Sequence, residues 1–201
     1  MLTAVADSEA GEAAAKWRAV GDAHHAAGKH DEGGEAHMRA LTASTRDPRL
    51  VAAANALTDG NLPVAEQLLK QQLKKYPTDI GAMRMLAELA TRIGRMGEAN
   101  ALLDRALELA PAFHAARFAR ALVLSRRNHL PEAIAETDLL LKAAPDNLAY
   151  RNLRASVFVR LGDFDNARVL YEEVLRHKPN DPRVLMSLGH ILKTTGRLEE
   201  G

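Results

Sequence analysis

Between Ile80 and Phe113 the apolar positions fall into two runs with helical spacing. Met83, Leu86, Ala87 and Ala90 draw one apolar stripe along a first helix. Ala99, Leu102, Leu103, Ala106, Leu107 and Leu109 do the same for a second. Between them, in the segment Arg92-Ile93-Gly94-Arg95, a left-handed glycine ends the first helix. Pro111 closes the second, because proline has no amide hydrogen and biases the preceding residue away from helix. The predicted unit is helix, tight turn, helix, loop. The small residues Ala87 and Ala99 let its two helices approach closely.

The unit recurs. Pro77, Pro111, Pro145 and Pro179 follow one another at intervals of 34 residues, and Ala65, Ala99, Ala133 and Ala167 keep the same interval. Gly60, Gly94, Gly162 and Gly196 share it, with Asn128 in the slot that glycine leaves. Asparagine is the next-best residue where a positive φ is needed. Three registers with one period mark a copied supersecondary unit, so an array is expected rather than one closed core.

At these positions the chain resembles the tetratricopeptide repeat (TPR) family, whose pattern is W-x2-L-G-x2-Y, then A-x3-F, then P. Trp17, Val20, Gly21 and His24 match its first part in the first repeat. Ala167, Tyr171 and Pro179 match the later part in the fifth. The resemblance implies an all-α fold, a right-handed α-α superhelix (TPR solenoid) of antiparallel helix pairs. Five full repeats are expected at about 14–45, 46–79, 80–113, 114–147 and 148–181, with a truncated sixth at 182–201. The solenoid would span 12–201, after an N-terminal tail or extra helix at 1–11.

Some positions depart from the pattern. Gly28 and Gly60 are 32 residues apart, so the first repeat is short, and it carries Gly33-Gly34 where alanine is usual. Arg120 and Arg154 stand where leucine is usual, and Ala119 and Leu153 are expected to supply the packing instead. After a helix over Pro182 to Gly196, Arg197-Leu198-Glu199-Glu200-Gly201 opens a second one. The expectation is a fragment of a longer protein whose open C-terminal edge allows self-association. Leu148-Ala149-Tyr150-Arg151-Asn152-Leu153 and the stretch from Ser187 to Arg197 are similar to bacterial proteins that join such repeats to a sulfotransferase. That resemblance implies a regulatory or substrate-presenting arm, with the sulfate-donor phosphate loop beyond Gly201. No glycine-rich strand-to-helix loop occurs in these residues, so no catalytic residue and no cofactor is expected in this chain.

Composition narrows the classes further. The formal net charge is +1, which supplies no global drive towards nucleic acid or an anionic membrane. There is no cysteine, which removes disulfides, thiolate zinc sites and cysteine nucleophiles, and fits a reducing compartment. The first eleven residues hold Asp7 and Glu9 and lack a basic segment followed by an apolar one, so no signal peptide is read there. No apolar stretch approaches a membrane span. A cytoplasmic protein with no membrane and no nucleic-acid partner is expected.

Function would then sit on the first helices, which in this family line a concave surface that takes extended protein segments. By phase, the binding slots are Arg84, Glu88, Arg92, Ser125, Arg126, Asn152, Ser156, Arg160, Arg183 and Lys193. Arg92, Arg126 and Arg160 share one slot in three successive repeats, and Lys193 lies one position from the equivalent slot. The planar guanidinium fork suits carboxylates, so an acidic peptide or protein is one expected partner. The same slot is the last turn of a helix, where a cation gains about 0.3–1 kcal/mol from the helix dipole without any ligand. Both readings stand at this point. The carboxylate clamp of chaperone-binding members is incomplete, since its asparagine slot holds Glu88. His24, His25, His30 and His37 are dense enough to raise a metal, but no carboxylate triad or H-E-x-x-H accompanies them, so packing and surface roles are expected. Glu172-Glu173 and Glu199-Glu200 read as solvated faces.

Overall fold

Helix boundaries follow the punctuation of the sequence. The computed structural model describes residues 8–196, so the ends of the expected N-terminal tail and of the sixth repeat lie outside the described residues. In chain order come α1 (Glu9–Ala26), α2 (His30–Ala43), a 3-10 turn (Ser44–Arg46), α3 (Pro48–Thr58), α4 (Leu62–Lys75), α5 (Ile80–Arg92) and α6 (Met96–Leu109). Then follow α7 (His114–Arg126), α8 (Leu130–Ala143), α9 (Leu148–Leu161), α10 (Phe164–His177) and α11 (Pro182–Thr194). The fold is all-α, as expected.

The turns are built by the residues the period singled out. Gly28, Gly60, Gly94, Gly162 and Gly196 all have φ between 73° and 82°, and Asn128 takes φ 63° in its slot. First helices start on side-chain caps: Asp47, Asp79, Asn147 and Asp181 each accept a backbone amide of the following turn. Ala65, Ala99, Ala133 and Ala167 are fully buried, one each in α4, α6, α8 and α10, where small side chains let the crossing helices approach.

The chain divides into two compact units, Met1–Ala119 and Arg120–Gly201. Unit 1 packs Leu50, Ala53, Leu57, Leu69, Leu86 and Leu89 into one core shared by α3, α4 and α5. Unit 2 packs Ala155, Ala167, Tyr171, Val174, Val184 and Ile191 from α9, α10 and α11. Burial pushes the Tyr171 hydroxyl pKa up, against a smaller lowering by its hydrogen bond with Ser187. The two arginines at leucine slots stay out of these cores. Arg120 pairs with Glu136 and Arg154 with Asp138, so both guanidinium groups lean onto α8. Leu153 is buried and supplies the packing as expected, while Ala119 is only half-buried.

The first helix pair departs from the sequence expectation. Trp17 and Val20 match the packing positions of the pattern, yet Val20 is 41% exposed, and the stripe α1 buries is Gly11, Ala14, Arg18 and Gly21. Trp17 instead carries the Arg39 guanidinium over its ring at 4.8 Å. Polar contacts bury Arg18 in that stripe. Arg18 reaches Asp79, the cap of α5, at 2.9 Å, and Tyr76 stacks under its guanidinium at 4.2 Å. The pair α1–α2 therefore touches α5 and α6 rather than packing only on its neighbour in sequence.

Candidate functional site

In unit 1 the predicted slots Arg84, Glu88 and Arg92 come together on α5. They are spaced four residues apart and so lie one above the other on a helix. Glu88 stands between the two arginines, 3.5 Å from Arg84 and 2.6 Å from Arg92. The other nitrogen of Arg92 donates to the Leu57 carbonyl at 2.7 Å. That carbonyl belongs to the last turn of α3, where helix oxygens lack intrahelical partners. Arg92 thus closes the end of the preceding first helix, and its charge is already met by Glu88.

Unit 2 is charged differently. The segment Arg120–Arg126 of α7, the whole of α9 and the whole of α11 contain no aspartate or glutamate. Their basic residues sort into two sets. Arg120, Arg151 and Arg154 turn to carboxylates of the loops and second helices: Glu136, Asp146 with Glu173, and Asp138. Arg126, Arg160, Arg183 and Lys193 are exposed. Asn152 and Ser156 are half-buried between these positions in the sequence of α9, and Ser156 donates back to the Leu153 carbonyl at 2.6 Å. Ser125 is buried, with 6% of its surface exposed. On α11, Leu185 and Met186 are exposed, Met186 by 76%.

The histidines do not gather as metal ligands: among the described residues no group of three or more histidine, aspartate or glutamate side chains converges on one point. They pack instead. His25 from α1 and His37 from α2 stack at 5.4 Å between ring centroids. Each lies on a glycine of the other helix, His37 over Gly21 and His25 over Gly33. His24, which stands at the tyrosine position of the pattern, is half-buried beside them. No helix among the described residues is long and apolar enough to cross a membrane.

A family model described as tetratricopeptide repeat matches residues 56–111 and 90–157, and a second with the same description matches residues 148–191. No curated protein matches the chain. Among solved structures, a tetratricopeptide repeat protein from Parabacteroides merdae aligns with a TM-score of 0.68 at 16% identity, over 93% of this chain and 75% of that one. A thermophilic TPR protein from Thermus thermophilus aligns at 0.63 with 22% identity, over 90% of this chain and 99% of the other. MamA of AMB-1 aligns at 0.61 with 21% identity, covering 76% and 89%. At these identities the likeness is one of fold.

Proposed function

Because the chain belongs to the tetratricopeptide repeat family, we propose that it is a protein-interaction module that holds an acidic, extended protein segment on the first-helix face of unit 2, without catalysis of its own. Folds of this family typically serve protein–protein interaction. One observation favours this face over unit 1: its first helices carry Arg126, Arg160, Arg183 and Lys193 exposed and no acidic residue, whereas Glu88 answers the arginines of α5. Arginines at a repeated spacing suit successive carboxylates of an extended chain, since each fork takes two parallel hydrogen bonds. Asn152 supplies a donor and an acceptor between them, and Met186 an apolar contact. The stretches similar to TPR–sulfotransferase fusions lie in α9 and α11 and contribute Asn152 and Lys193 to this same face; nothing in their geometry favours a sulfotransferase arm over a general peptide surface.

The test is charge reversal read by fluorescence anisotropy with a labelled glutamate-rich peptide. Arg126→Glu, Arg160→Glu and Lys193→Glu together should weaken binding about a hundredfold at low salt and flatten its salt dependence. Reversal of Arg84 and Arg92 should change affinity little. Equal affinity and equal salt dependence in the unit 2 triple variant would sink the proposal.

A further inference from the structure

We propose that the α1–α2 hairpin is a proton-operated cover over the first-helix face of α5, seated while the buried His37 is neutral and released when it takes up a proton. What it covers is definite. The Leu41 side chain lies so close to Gly81 that a Cβ there would sit 2.9 Å from its Cδ1. Gly81, Glu88 and Arg92 are spaced seven and four residues apart, one face of α5. The hairpin therefore closes the N-terminal part of a face whose C-terminal part stays open.

Besides the Arg18–Asp79 pair, a chain of imidazoles holds it. His25 Nε2 lies 3.0 Å from the Leu109 carbonyl at the end of α6, and donates its hydrogen there. Its Nδ1 lies 3.1 Å from His30 Nδ1, so one ring accepts while the other donates. Beside His25, the fully buried His37 makes no hydrogen bond through either nitrogen. The groups that face His37 come from two elements. On α1 they are Asp22, 3.4 Å from its Nε2, together with Arg18 and His25; on α6 Arg105 adds a further positive charge. Asp22 is exposed and is shared with the Thr78 hydroxyl, which donates to its other oxygen at 3.1 Å. A Cβ at Gly34 of α2 would stand in ordinary contact with Pro111 and the Leu109 carbonyl, at 3.4 and 3.6 Å, so α2 lies over the loop that follows α6.

The direction with pH follows from burial. Desolvation lowers the pKa of His37, Asp22 offsets part of that, and His25, Arg18 and Arg105 lower it further. A group whose folded pKa is depressed below the unfolded value binds protons more readily once released. Seating is therefore independent of pH above about 6.5, and weakens as pH falls below it, by up to about tenfold per pH unit for the one proton His37 takes up.

Nuclear magnetic resonance of the intact, isotope-labelled chain between pH 7.5 and about 5.5 tests this. The expected result is a joint transition: amides of α1, α2, Ile80 to Leu86 and Leu109 to Phe113 shift together with the His37 ring, while those of α9, α10 and α11 stay in place. His37→Gln should remove most of the pH dependence. Should that variant fail to seat at neutral pH, the wild-type midpoints decide, because the His37 ring and the α5 amides must then titrate together. Separate midpoints, a flat response in α5, or simultaneous loss of unit 2 signals through general acid unfolding would each overturn the proposal.

Discussion

Asp79→Ala should destabilise unit 1 by about 3–5 kcal/mol, read as the midpoint of urea unfolding followed by Trp17 fluorescence. The side chain of Asp79 is 2% exposed and carries three bonds at once: Arg18 Nη1 at 2.9 Å, Gln72 Nε2 at 2.8 Å and the Ala82 amide at 3.0 Å. Its removal takes away the cap of α5, worth about 1 kcal/mol. It also leaves the Arg18 guanidinium buried, with the Tyr76 ring as the remaining neighbour to its charge among these contacts. An unpaired buried charge is the costlier half of that loss. The double change Arg18→Met with Asp79→Asn should therefore be less damaging than Asp79→Ala alone, since it removes both charges and keeps the capping oxygen. The reverse order of stabilities would show that the pair is not what fixes α1.

The second large effect is expected from Gly21→Ala with Gly33→Ala. In an exposed helix glycine to alanine stabilises by about 1 kcal/mol. Gly189 of α11 has nothing within 4 Å of an added Cβ, so Gly189→Ala should follow that rule. At Gly21 the new carbon would stand 2.7 Å from His37 Nε2, and at Gly33 2.6 Å from His25 Cδ2. His37 is fully buried and cannot swing away, so overpacking of about 1–3 kcal/mol per site outweighs the helix gain. Thermal melting of the double variant and of Gly189→Ala checks the signs. A Gly21→Ala/Gly33→Ala chain as stable as wild type would mean that the two helices do not cross as described.

Much of the fold was legible because a period of 34 residues constrains many positions at once. The turn glycines, Asn128 with its positive φ and the buried alanines all follow from that spacing. The first pair was less legible because its orientation depends on contacts distant in sequence. Arg18 is buried by a partner 61 residues away, and no local pattern announces that. A usable signal did exist in the spacing of Gly21 and His25 on one helix and Gly33 and His37 on the next, four residues apart in each. Antiparallel helices bring such pairs into register, each ring over the other's glycine. Of the candidate site, the basic slots were visible, but their division was not. Arg92 is tied to Leu57, which lies 35 residues back, and to Glu88, while the acid-free helices of unit 2 leave theirs to solvent.

Recognition of an acidic segment by unit 2 is tested most directly by chemical-shift mapping during titration with a glutamate-rich peptide. Saturable shifts are expected at Arg126, Asn152, Ser156, Arg160, Arg183 and Lys193, with the second helices α8 and α10 unchanged. Shifts centred on Arg168 and Arg176 of α10, or none on the first helices at saturating peptide, would contradict it.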